Sequence, residues 1–266
     1  QRLRSKGLDV AVPHATAAVE GACVCVVSTA IPDSNPEVVR AKELGIPVIR
    51  RAEMLAELLR LQSGVCIAGQ HGKTTTTSMV ADVFTHGGAD PTVIHGGVLA
   101  SLGSNARFGK GSYLICEADE SDGSFLTLSP TYAVITNLEG ADHLETWPGG
   151  MPAIKEAFLN FANSVPFYGL VILCHDDEHL RDMLPDLKRR YVTYGVSASA
   201  DYRADAIHHI DGCVCFSVSI RGEHKGEIKL PLPGRHNALN ALAAVAAADE
   251  FGIPFERIRE ALESFR

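Results

Sequence analysis

A lysine followed by four threonines, in the stretch CIAGQHGKTTTTSMV (residues 66–80), has the composition of a phosphate cradle. Glycines let a backbone approach an oxyanion closely, a lysine places a cation near the outer phosphates, and a hydroxyl next to it can ligate magnesium. The general phosphate loop carries four residues between its two glycines. Here only Gln70 and His71 separate Gly69 from Gly72. The stretch is therefore either a shortened phosphate loop or an ordinary strand-to-helix turn. Lys73 and the threonines after it favour the loop, because a plain turn has no use for them.

A second group of chemical residues is EADESD, where Glu117, Asp119, Glu120 and Asp122 fall within six positions after the apolar run YLIC. If the strand persists, Glu117 and Asp119 share one face. One carboxylate could help hold magnesium opposite the phosphate loop, or the cluster is a solvated acidic turn; Glu117, nearest the strand, is the favoured functional residue. TNLEGADHLETW adds Asp142 and His143, and a lone histidine is more often structural than a ligand. In PGRHNALNA, Asn237 and Asn240 stand three apart on one helical face, although Asn237 can serve simply as a cap.

The elements around these residues predict how they are positioned. Val65 to Ala68 reads as a buried parallel strand, and Thr74 to Phe84 has apolar residues at helical spacing. The first N–H groups of that helix lack intrahelical partners and point, with the positive end of the helix dipole, at the loop. Upstream, ACVCVVST, NPEVVRAKELG, IPVIRR and AEMLAELLRL alternate strand, helix, strand, helix. Downstream, SYLICEAD, YAVITNL and GLVILC read as buried strands, CVCFSVSIRGEHKGEIKLPL as an antiparallel hairpin, and the end as helical. The fold expected is α/β: a partial Rossmann-like domain over residues 1–62, then residues 63–266 as a domain with a mostly parallel sheet and a small antiparallel part.

Composition narrows the function. A length of 266 residues with 46% hydrophobic side chains supports a sizeable core. The formal net charge of −8 argues against a nucleic-acid partner, whose phosphates need lysine and arginine. No apolar stretch approaches a membrane span and no signal-peptide core is visible, so a cytoplasmic protein without a membrane partner is expected. The seven cysteines lack zinc-site spacing and read as small buried hydrophobes.

In order along the chain, GQHGKTTTT, EADESDGSFL, TNLEGADH, VPFYGLVILCHDD and LPGRHNALNALAAVAAA resemble the Mur ligases of bacterial cell-wall synthesis. STAIPDSNPEVVRAKELGIPVIRRAEMLAEL is similar to the end of that family's UDP-binding domain. The resemblance implies ATP and Mg2+ as cofactors, with Gly69, Gln70, His71, Gly72, Lys73, Thr74 and Thr75 around the phosphates and Asn237 and Asn240 on the nucleotide. It implies that Lys73, Glu117 and His143 serve catalysis, and that Thr74, Glu117 and His143 hold the metal. Within the family, the alanine-adding member is the most similar. Its reaction has ATP phosphorylate the carboxylate of UDP-N-acetylmuramate, after which the amine of L-alanine attacks the acyl phosphate.

Alternatives are the related ligase that attaches a recycled peptide, which tends to have an aromatic residue where Ser121 stands, and a non-catalytic ATP-binding module. The chain departs from the family at Gln70, where threonine is usual, and at Gly140, an extra residue before His143. The family's glycine-rich UDP loop and its C-terminal domain have no counterpart here, so the chain alone is expected to bind ATP without ligating alanine.

Overall fold

The computed structural model describes residues 3–99, 104–138 and 146–266. It forms two compact units, Gln1–Leu58 and Leu59–Arg266. In the first, β1 (Cys25–Val27) and β2 (Val48–Arg50) pair in parallel across α1 (Pro36–Glu43). Helix α1 starts where a helix should: Pro36 occupies the first turn and the Asn35 side chain accepts a hydrogen bond from the Glu37 N–H at 2.9 Å. Val38 and Ala41 are its buried face. The strand expected over residues 22–29 is shorter than its apolar run, and Cys23 is exposed rather than buried. Helix α2 (Arg51–Leu59) follows directly on β2.

The second unit begins with β3 (Ser63–Ala68), α3 (Lys73–His86), β4 (Thr92–Leu99), β5 (Ser104–Arg107) and β6 (Tyr113–Glu117). It continues through β7 (Tyr132–Ile135), α4 (Gly150–Ser164), β8 (Leu170–Cys174), α5 (Glu178–Met183), β9 (Tyr191–Gly195) and β10 (Tyr202–Ile210). β11 (Cys213–Ile220), β12 (Glu223–Leu230), α6 (Arg235–Glu250) and α7 (Phe255–Glu263) complete it. Among the described residues the strands form one ten-stranded sheet, ordered β12-β11-β10-β9-β8-β7-β3-β6-β4-β5. From β10 to β4 all neighbours are parallel, while β5, β11 and β12 are antiparallel additions at the two edges.

Two hairpins make the β10–β12 edge, and both have two-residue turns with positive φ at each position. Asp211 and Gly212 have φ of 53° and 77°, and Arg221 and Gly222 have 49° and 85°. Such turns match the right-handed twist of the strands they join. The second hairpin is the one expected from the sequence. Strand β10, which the sequence reading did not single out, is paired to β11 by the Asp-Gly turn.

The order places β3 between β6 and β7, with the chain leaving β3 toward one side through α3 and returning to the other after β6. This is a switch point, where the carboxyl ends of parallel strands open a crevice. Behind it, α3 packs against α6, whose alanines Ala241, Ala243, Ala244, Ala246, Ala247 and Ala248 are all buried. Small side chains allow that close approach. Phe84 from α3 meets Tyr113 and Phe251 edge-on, with ring centroids 5.4 and 4.8 Å away.

Phe84 is fully buried in this aromatic cluster. Phe84→Ala is expected to lower stability by about 3 to 5 kcal/mol through lost burial and the cavity left behind. Urea denaturation followed by the circular dichroism of the sheet checks this; an unchanged midpoint would mean that α3 is not seated on that cluster.

Candidate functional site

The stretch from Ala68 to Lys73 leaves a strand buried from Gly64 onward and enters a helix with no side chain capping it, since the N-cap is Gly72. The first-turn N–H groups, those of Lys73, Thr74 and Thr75, thus start a helix without a capping acceptor. Gly69 and Gly72 are required by geometry. Gly69 has φ of 129°, and a Cβ there would lie 2.1 Å from Thr136 Oγ1. Gly72 has φ of 80°, and a Cβ there would lie 2.6 Å from Asn240 Oδ1.

The loop is held from the neighbouring strand end. Just beyond β7, the Asn137 side chain accepts from the His71 N–H at 2.9 Å and donates to the His71 carbonyl at 2.9 Å, satisfying both backbone groups of one residue. Thr136 Oγ1 donates to the same His71 carbonyl at 2.7 Å. The Gln70 N–H reaches the Asn137 carbonyl at 3.4 Å. The sequence reading did not single out Thr136 or Asn137, because each owes its role to β7 lying beside β3.

Lys73 curls back over the loop and donates to the Gly69 carbonyl at 2.7 Å. Its ammonium also sits on Glu120, 2.8 Å from Oε2 and 3.1 Å from Oε1, and Asp119 Oδ1 is 4.0 Å away. The Glu120 side chain is only 3% exposed, so its buried charge has Lys73 as its cation. The remaining acidic residues divide differently than a shared strand face would have them. β6 ends at Glu117, and Asp119 and Asp122 each accept a hydrogen bond from the N–H two residues on, from Ser121 at 3.2 Å and Ser124 at 2.9 Å. Both are turn-forming residues.

Glu117 stands beside the first turn of α3. The Thr74 hydroxyl donates to its Oε2 at 3.2 Å, while His95 Nδ1 at 2.9 Å and the Gly96 N–H at 3.2 Å take Oε1. Burial pushes the Glu117 carboxyl up, but the hydrogen bonds from His95, Gly96 and Thr74 outweigh it and hold the group below its ordinary value. His95 was not foreseen; it is delivered by β4 on the far side of β6. Of the threonine run, Thr74 is exposed toward the site, whereas Thr76 and Thr77 are buried in the core.

At the start of α6, Asn237 donates to the Pro233 carbonyl at 2.7 Å, and Asn240 donates to Asn237 Oδ1 at 3.3 Å. Asn240 is 8% exposed and packs against Gly72, which makes it a support of the loop. The structure thus brings together the loop residues 69–75, Glu117 and Asn240, with Asn237 adjoining. His143, with Gly140 and Asp142, lies outside the described residues.

Comparison with known proteins agrees with this architecture. Residues 67–248 match the model of the Mur ligase middle domain, and residues 1–63 that of the Mur ligase family catalytic domain. The chain is 52% identical, over its full length, to a UDP-N-acetylmuramate–L-alanine ligase of Trichlorobacter lovleyi, and 52% identical over 99% of its length to one of Geobacter sulfurreducens. It spans 58% and 57% of those two relatives. Among solved structures, UDP-N-acetylmuramate-alanine ligase from Thermotoga maritima superposes with a TM-score of 0.84 at 32% identity, covering 99% of this chain and 59% of that one. A UDP-N-acetylmuramate:L-alanyl-gamma-D-glutamyl-meso-diaminopimelate ligase from Neisseria meningitides gives 0.85 at 29%, covering 100% and 86%.

The clamp on His71 can be tested without any ligand. Asn137→Ala removes an acceptor and a donor from the loop backbone, an expected loss of about 1 to 2 kcal/mol. Peptides spanning residues 66–76 should then exchange their amide hydrogens faster than the rest of α3. Unaltered exchange there would show that the loop holds its shape unaided.

Proposed function

The chain belongs to the Mur ligase family, and we propose that it supplies the ATP site of a UDP-N-acetylmuramate:L-alanine ligase. The observation that carries this reading is the convergence of Lys73, Thr74 and Glu117 where β3 and β6 end, around an uncapped helix start. The high identity to alanine ligases along the full chain supports the choice of substrate.

In the proposed reaction a carboxylate oxygen of the sugar nucleotide attacks the γ-phosphorus of ATP, and ADP leaves. The alanine amine then attacks the resulting acyl phosphate, loses a proton and expels phosphate. The N–H groups at the start of α3 would receive phosphate oxygens. Lys73 would exchange its bonds to Glu120 for the outer phosphates, neutralising charge as the phosphoryl group moves. Asn237 and Asn240 lie at the edge of the same loop and would border the nucleoside.

The donors beside Lys73 suit a magnesium ion. The Thr74 hydroxyl and Glu117 Oε2 are hard oxygens 3.2 Å apart. Among the described residues no group of three or more His, Cys, Asp or Glu side chains could hold a metal by itself. That fits an ion that keeps water and takes phosphate oxygens with one or two protein ligands. Bound there, magnesium would neutralise phosphate charge and align the transferring group. His143 is proposed as a further ligand on the family resemblance.

Two measurements test the proposal. Lys73→Ala strands the buried Glu120 carboxylate, so it is best compared in a Glu120→Gln background. There, loss of Lys73 should weaken ATP binding in magnesium by roughly 5- to 150-fold, the equivalent of about 1 to 3 kcal/mol for a charge-assisted contact. Equal affinity with and without Lys73 would sink the phosphate-loop assignment. For substrate choice, the product of the protein expressed from its complete reading frame should be the alanyl sugar nucleotide. Ligation of a preformed peptide in preference to alanine would move the site to the recycling activity.

A further inference from the structure

We propose that His95 is a positioning residue that reserves one oxygen of Glu117 for the protein and leaves the other for the cation, so that the site prefers magnesium to calcium. The proposal rests on the magnesium–ATP reading above.

Strands β4 and β6 run parallel with Ile94 opposite Cys116, which sets His95 beside Glu117 on the adjacent rung. The His95 side chain is fully buried. An ionised carboxylate only accepts, so the ring proton facing it lies on Nδ1, 2.9 Å from Oε1. Among the described residues the other ring nitrogen, Nε2, is buried with no hydrogen-bond partner. Packing alone would be served better by an aliphatic side chain, which leaves no polar atom unpaired. The imidazole is therefore explained by its polar contact with Glu117.

That contact divides the carboxylate. Oε1 receives both His95 Nδ1 and the Gly96 N–H, while Oε2 faces the Thr74 hydroxyl. Gly96 contributes through the side chain it lacks, since a Cβ there would lie 3.1 Å from Oε2. With Oε1 occupied by two donors, Glu117 can offer a cation one oxygen. Magnesium wants single oxygens in a tight octahedron, whereas calcium readily takes both oxygens of a carboxylate in a looser shell. Freeing Oε1 would let Glu117 turn and ligate through both.

The test compares wild type with His95→Asn, His95→Gln and His95→Leu. The asparagine amide can donate from the position of Nδ1, whereas the glutamine amide reaches toward that of Nε2. Dissociation constants for ATP with magnesium and with calcium, measured by calorimetry, give the readout, and thermal melts report folding. We expect a wild-type preference for magnesium that His95→Asn largely retains. His95→Gln and His95→Leu should weaken magnesium-dependent binding by roughly 10- to 100-fold, as for loss of a partner that orients a metal ligand, with a smaller change in calcium. Should His95→Leu fail to fold, the asparagine and glutamine pair decides. Wild-type preference kept by His95→Gln would overturn the role of His95 while leaving the nucleotide site intact. A wild type whose ATP binding ignores magnesium would overturn both, and the failure would be visible before any variant is made.

Discussion

The rest of the site depends on keeping the backbone from Gly69 to Gly72 in shape without using up its N–H groups at the start of α3. A loop that is to receive phosphate, as proposed, cannot be closed by its own cap, so it must be braced from outside. Asn137 and Thr136 brace it from β7, Asn240 from α6, and Lys73 ties back to the Gly69 carbonyl. The order β7-β3-β6 makes this possible. It places the braces on one side of β3 and the Glu117 carboxylate on the other, with the loop between them.

Charge in this crevice is unbalanced toward the acid. Lys73 faces Glu120 directly, with Asp119 4.0 Å away and Glu117 near the same helix start. A polyphosphate entering alone would meet that cation only by displacing a buried carboxylate, whose desolvation then goes uncompensated. A divalent ion arriving with the phosphates resolves the conflict, because it supplies the positive charge the carboxylates need while Lys73 turns to the ligand. If the crevice is the proposed nucleotide site, this charge balance favours nucleotide and metal entering together over either alone.

Much of this was legible in the sequence, and the limits have a physical cause. Local signals sufficed for the junction at residues 66–80: an apolar strand, two glycines, a lysine and a helical period lie within one short window. They sufficed as well for the Arg-Gly hairpin and for Glu117 at the end of its strand. His95, Asn137 and the burial of Glu120 depend on which strands become neighbours, and β4, β6, β3 and β7 are not ordered in the sheet as they are along the chain. Asp119 shows the converse failure. Alternation would have placed it with Glu117, but β6 stops at Glu117 and Asp119 folds into a turn.

The pairing of His95 with Glu117 is itself set far from the site. A slip of one residue between β4 and β6 would send every side chain of one strand to the opposite face. What prevents it lies at the other end of both strands, before β4 begins. Asp90 accepts from the Lys110 N–H at 2.9 Å and from Arg107, and its carbonyl accepts from the Gly111 N–H at 2.8 Å. The backbones approach so closely that a Cβ on Gly111 would lie 1.8 Å from the Ala89 carbonyl and one on Gly109 2.1 Å from that of Asp90. These contacts support the register in which His95 and Gly96 meet one oxygen of Glu117 and Thr74 the other. A glycine at the foot of the sheet is, by this route, as much a part of the proposed metal site as the threonine at its head.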